Sequence, residues 1–262
     1  MAEQQPFWRT EIAQVEPNDI RVRGYDLIEL IGNRSFGDVV YLLLSGELPE
    51  GNEGRMIDAL LVSATEHSLM APSVDAARFV ASGGVPLQAA VASGINAMGE
   101  YHAGAVDAGC RLLQEADALD LPPADAGREL VRRVREQRRV LSGFGHKVHD
   151  PDPRTARVME LAREYGFYGR WCELGFAIEA ATAEFYPRHL AMNIDGAMSC
   201  LLLELGLDPG LGKAFYIIGR SAGLVAHAFE ELTRERPYRD IGWDNVVYEG
   251  PPPRDLPADP SR

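Results

Sequence analysis

Apolar residues recur every three to four positions along most of the chain, the period of a helix that buries one face. Over 54–65 this spacing brings Met56, Leu60 and Leu61 to one side, and over 124–140 it aligns Leu130, Val131, Val134 and Val140. The pattern repeats over 155–164 and 171–184. Residues 86–100 are rich in alanine and predict a buried helix, with Pro86 at its start, where a missing N–H costs nothing. Residues 209–234 open on Pro-Gly and run apolar to His227-Ala228-Phe229. No run of four to eight residues alternates as a strand should, and the best case, Val246–Tyr248, is short. The pattern therefore predicts an all-α protein without internal repeats, ending in a Pro-rich, polar and extended tail over 251–262.

The chain has 262 residues, enough for one large core or two smaller ones. No stretch approaches 18 uncharged apolar residues, so no membrane-spanning helix is expected. The first twenty residues are charged and lack an apolar segment, which speaks against a secretory signal. Cys110, Cys172 and Cys200 have neither zinc-site nor disulfide spacing, and reduced thiols point to the cytoplasm. Charge changes the picture more. Lys and Arg number 26 against 39 Asp and Glu, a net charge of −13, which excludes a broad nucleic-acid surface. An anionic substrate would have to be held by a few local arginines, lysines and helix N-termini.

Four Gly- or Pro-rich segments interrupt the helices, each with titratable residues: HSLMAPS (67–73), EYHAGA (100–105), SGFGHKVHDPDPR (142–154) and MNIDGAMS (192–199). His146 follows two glycines that let backbone N–H groups approach a ligand; it is equally readable as a turn with a capping histidine. His102 ends an apolar helix, as a satisfied helix-end imidazole or as a donor to a developing oxyanion. Asp195 before Gly196 reads as a helix cap, or as a proton-transfer group over an apolar pocket. Arg220 sits among Gly219, Ser221, Ala222 and Gly223 in an apolar helix, where a buried arginine needs an anion, internal or bound. Arg154 closes the histidine loop. Six arginines between 128 and 139 form a basic face, solvated or turned toward a phosphate-rich cofactor. His149, His189 and His227 lack such settings, and without an HxxxH or HExxH pattern no metal is expected.

Taken together and in order, EYHAGAVDAG, GFGHKV followed by DPR, NIDGAMS and IIGRSAGLVAHAFE resemble the active-site segments of the citrate synthase family. IRVRGYDLIELIGNRSFGDVVYLLLSGELPE resembles that family's N-terminal signature, so the likeness covers roughly 20–250. It implies an all-α fold with the active site in a cleft between a large domain (1–102 and 197–250) and a small one (103–196), and a homodimer or higher oligomer. It implies His102, His146 and Asp195 as the catalytic trio. His67, Ser73, Arg154 and Arg220 become substrate-binding, and Gly143, Phe144, Gly145 and Lys147 become contacts of a coenzyme A thioester. About seventeen residues separate the GELP and His67 segments, where full-length citrate synthases carry a long helical insert. That brevity, with NIDG, GRSxG and the YRDIGWDNVVYEGP ending, resembles the minimal citryl-CoA lyase module of ATP-citrate lyases. The resemblance thus implies cleavage of citryl-CoA to acetyl-CoA and oxaloacetate. Citrate synthase is the alternative, and a non-catalytic paralogue binding CoA esters is a third reading.

Overall fold

The structure is a computed structural model that describes residues 7–257. The predicted tail therefore falls partly outside the described residues; its part over 251–257 has no regular structure. Helices dominate, as the apolar period predicts. α2 (Phe36–Ser45) opens on a reciprocal cap in which Ser35 and Asp38 satisfy each other's backbone N–H. α3 (Glu53–Ala64), α4 (Pro72–Ser82) and α5 (Leu87–Asn96) follow α2 in the chain. α6 (Ala105–Asp117), α7 (Pro123–Glu136), α8 (Pro153–Tyr165), α9 (Arg170–Phe185) and α10 (Ile194–Glu204) lead to the long α11 (Gly212–Arg234). A one-turn helix, α1, spans Leu27–Leu30.

Two expectations need correction. Residues 13–26 form a small antiparallel sheet: β1 (Ala13–Glu16) pairs with β2 (Asp19–Val22), which pairs with β3 (Tyr25–Asp26). Its surfaces are mostly exposed, so it never carried the apolar alternation that marks a half-buried strand. Val246–Tyr248, too short to alternate, is not a strand, as the sequence pattern predicts. α5 ends at Asn96 and buries only Ala90 and Gly94, so in this chain it is half-exposed rather than engulfed.

The helices pack in two groups. α11 lies against α3, α4 and α5, with α2 on α3; α7 packs on α9, and α10 lies among α6, α8 and α9. α10 is buried on nearly every side from Ile194 to Leu202, which explains why its sequence lacks a polar stripe. α11 presses on the end of α3 because Gly219 and Gly223 carry no side chain: a Cβ there would lie 2.6 Å from the Leu61 carbonyl oxygen and 2.3 Å from that of Thr65. The helices converge on the loops that carry the histidines.

Candidate active site

Ile194 and Asp195, at the start of α10, form one wall of a cavity of about 350 Å³. Asn193, not Asp195, is the N-cap of α10, and its Oδ1 accepts from the backbone N–H of Asp195 (2.9 Å) and Gly196 (3.1 Å). The carboxyl of Asp195 is therefore free of capping duty. It is half-buried, and its one side-chain partner among the described residues is Tyr216, whose hydroxyl donates to Oδ1. Burial raises its pKa, while the Tyr216 hydrogen bond and the nearby Arg154 pull the other way without cancelling the effect.

The His146 loop is tied to this wall. Gly143 and Gly145 take left-handed φ angles of 89° and 77°, and a Cβ on Gly196 would lie 2.4 Å from the Gly143 carbonyl oxygen. The Asn193 amide donates to the Gly145 carbonyl at 2.7 Å, and the Gly145 N–H donates to Ala191 at 2.7 Å. His146 Nδ1 accepts from the N–H groups of Val148 and His149, both at 3.0 Å. A neutral ring bonded in this way carries its hydrogen on Nε2. Burial keeps the ring neutral by lowering its pKa.

From the other group of helices come His67, His102, Tyr216 and Arg220. His102 Nε2 lies 2.8 Å from Ser73 Oγ, and burial followed by Arg220 lowers its pKa. His67 stands edge-on to His146 and His149, whose rings stack with centroids 4.8 Å apart. Its turn is fastened by Glu66, whose Oε1 accepts from the N–H groups of His67 and Ser68 and lies 3.1 Å from His227 Nε2. Burial, then Arg154, lowers the His67 pKa.

The two arginines differ. Arg154 donates to Asp152 through Nε (3.0 Å) and Nη2 (2.8 Å). Burial opposes its charge, but Asp152 outweighs burial and its pKa is raised. Arg220 is 2% exposed and has no carboxylate partner among the described residues. Its Nε donates to the Ala64 carbonyl at 2.7 Å, while Nη1 has no hydrogen-bond partner. Burial lowers its pKa, the signature of a buried cation short of an anion.

The predicted residues do not all reach the cavity. His67, His102, His146, Asp195, Arg154, Arg220, Gly145 and Lys147 line it. Ser73 is fully buried and turned to His102. Gly143 backs onto Gly196, and Phe144 bridges to Met192, so neither faces the opening. The basic face of α7 and the residues after it is mostly spent internally: Arg128 pairs with Glu184, Arg132 and Arg133 with Glu129, and Arg139 with Glu115. Sequence reasoning missed Tyr216, Glu66 and His149. Tyr216 was within reach, since it lies four residues before Arg220 on one helix face. The fold also gathers His67, His146 and His149 with ring nitrogens within 4.8 Å, a grouping that chain spacing did not reveal. A larger hollow of about 800 Å³ between α3 and α8 is mainly apolar, and no set of proton-transfer groups converges on it.

The profile described as "Citrate synthase, C-terminal domain" matches residues 50–240. The chain is 30% identical over 232 residues to a glyoxysomal citrate synthase of Cucurbita maxima, an alignment that covers 86% of this chain and 41% of that protein. The chain thus spans less than half of that relative's length. A structure of citryl-CoA lyase from Hydrogenobacter thermophilus is 41% identical, with a TM-score of 0.89 over 96% of this chain and 98% of that one. ATP citrate lyase from Methanothrix soehngenii, in complex with citrate and coenzyme A, shares the fold at a TM-score of 0.83 and 21% identity, over 95% of this chain and 42% of that one.

Proposed function

The chain belongs to the citrate synthase family, and from that premise we propose that it is an enzyme cleaving citryl-CoA into acetyl-CoA and oxaloacetate. One observation carries the reading: a half-buried carboxyl of raised pKa, two neutral imidazoles and an arginine without an anion converge on one cavity. The full-length similarity to a protein named citryl-CoA lyase supports cleavage over net citrate synthesis.

In this reading His146 takes the proton of the tertiary hydroxyl as the C–C bond breaks. The bonding pair moves into the thioester, and His102 donates to the enolate oxygen. With Ser73 donating to Nε2, a neutral His102 presents Nδ1–H for that purpose. Asp195, whose carboxyl burial shifts toward the protonated form, is the acid that protonates the terminal carbon and becomes a carboxylate. For His146, accepting at Nε2 uses the tautomer with hydrogen on Nδ1, which the ring reaches by releasing the Val148 and His149 N–H groups, and the product is an imidazolium that returns its proton to solvent. In the condensing direction the imidazolium is the donor, so the cycle is reversible. Arg220, Arg154 and His67 hold the carboxylates of oxaloacetate.

We read the histidine cluster as part of this anion site rather than a metal site. The Nε2–H of His146 offers no lone pair, and two arginines would repel a cation. Gly145 and Lys147 at the mouth are the proposed contacts of the CoA ester. The division into a large domain (1–102 and 197–250) and a small one (103–196) remains our proposal. We further propose a cytoplasmic homodimer. Its support is the exposed apolar side chains of Phe79, Val225, Phe229, Trp243 and Tyr248, and a monomeric mass at micromolar concentration would count against it. The test of function supplies citryl-CoA in one assay and acetyl-CoA with oxaloacetate in another. Cleavage without citrate release supports the lyase. Net citrate favours the synthase, which must also hydrolyse the thioester, and no turnover would leave only a CoA-ester-binding role.

A further inference from the structure

The two oxygens of the Asp195 carboxyl are not equivalent. Oδ1 accepts from the hydroxyl of Tyr216, and Oδ2 has no protein partner among the described residues. Tyr216 is 7% exposed and lies one turn before Arg220 on α11, with its ring centroid 5.9 Å from that guanidinium. We infer that Tyr216 is a positioning residue for proton transfer: its hydroxyl claims Oδ1, confines the mobile proton to Oδ2, and stays bonded to the carboxylate after that proton has left. The inference rests on the acid role proposed for Asp195.

The chemistry follows from donor counting. A phenol has a single hydrogen to give, and a protonated carboxyl accepts it best on its carbonyl oxygen, so with Oδ1 as acceptor its own hydrogen is placed on Oδ2. Tyr216 remains a donor throughout, because burial, with Asp195 next to it, pushes its own ionisation far above the ordinary range. The other charged groups facing the pair come from three directions. Arg154 projects from α8, Asp152 sits at the cap of that helix, and His146 lies on the glycine loop; Arg154 and Arg220 also face Tyr216. None of these hydrogen-bonds the Asp195 carboxyl, so their influence is through space, whereas Tyr216 touches it. When Asp195 gives its proton to the enolate carbon, the charge appears on a half-buried group whose one directional support among the described residues is this hydroxyl. Removing the hydroxyl should therefore make Asp195 a weaker acid.

Tyr216→Phe keeps the ring and deletes the donor. A hydrogen bond to an ionised group is strong enough to shift a pKa by about one unit or more. Two measurements read the shift. The first is the pH titration of the Asp195 carboxyl by carbon-13 NMR, assigned through its loss in Asp195→Asn. The second is the acid limb of the pH profile for deuterium exchange into the methyl group of acetyl-CoA, in which Asp195 acts as the base. Both should move to higher pH by about one unit, with cleavage slowed roughly three- to tenfold and KM for citryl-CoA little changed. A folded variant whose Asp195 resonance or exchange limb stays at the wild-type position overturns the inference while leaving the lyase reading intact. Wild-type protein that shows no exchange at all overturns that reading, and this inference with it. If Tyr216→Phe does not fold, 3-fluorotyrosine at position 216 supplies a more acidic phenol. Both readouts should then shift downward, and no shift overturns the proposal.

Discussion

Replacing Arg220 by methionine tests whether the arginine belongs to the ligand or to the fold. Methionine keeps most of the volume and removes the charge. The stability balance has two sides. The variant loses the Nε hydrogen bond to the Ala64 carbonyl, a contact of a charged donor worth about 1.5–3 kcal/mol. It also removes a guanidinium that is 2% exposed, has no carboxylate partner among the described residues and carries an unbonded Nη1. The effective penalty for such an ion is several kcal/mol. The free protein should thus melt within a few degrees of wild type, or higher, since 1 kcal/mol corresponds to about 2–4 °C in a chain of this size. Ligand binding should behave oppositely. Leaving a substrate carboxylate without its buried partner costs about 2–5 kcal/mol, or roughly 30-fold to several thousandfold in affinity. Thermal melts at one protein concentration, with and without oxaloacetate, read both quantities, because a tight ligand raises Tm and a lost one does not. A fall of ten degrees or more in the unliganded variant, with the oxaloacetate-induced rise intact, would refute the reasoning and make Arg220 a structural residue.

Asp195→Asn should cut turnover by about 10²–10⁴ and preserve the fold, because Asn193 supplies the cap; a large loss of Tm with full turnover would return Asp195 to a structural role. The same variant has a pH signature. An acid whose folded pKa exceeds its unfolded value costs stability as pH rises past the unfolded value, so the Tm advantage of Asp195→Asn should grow from about pH 4 upward and then level off. An advantage that shrinks over that range would contradict the raised pKa. Arg139→Glu should leave KM for the CoA ester unchanged at low salt, since Arg139 is bonded to Glu115, and Lys147→Ala should raise it in a salt-dependent way; the reverse ranking would restore α7 and its flank as a phosphate surface. Glu66→Gln should raise KM for oxaloacetate more than it lowers kcat, because Glu66 fastens the turn that carries His67; equal KM values would dismiss that anchor.

The helices were legible wherever one face is buried and one is wet. α3, α7, α8 and α9 satisfy that condition, and their predicted limits fall within a few residues of the observed ones. The hairpin at 13–26 was not legible, because an exposed sheet imposes no period on its side chains. At the site, the loop composition marked the right segments, while the assignment within each segment depended on partners far along the chain. Whether Asp195 caps a helix was undecidable from its own neighbourhood and was settled two residues earlier, at Asn193. The basic run at 128–139 illustrates the converse. Its charge is visible in sequence, but its neutralisation by Glu115 and Glu184 exists only after folding.

The contact of Gly196 with Gly143, reinforced by the Asn193 amide on Gly145, has a mechanical consequence. It makes the histidine loop and the first turn of α10 a single bracket, so His146 and Asp195 travel together whatever the rest of the chain does. The arginines do not. Arg154 rides on the same side as that bracket, and Arg220 stands across the seam on α11. A ligand with two carboxylates that engages both therefore acts as a latch, while the spacing of the two proton-handling groups is already set before it arrives.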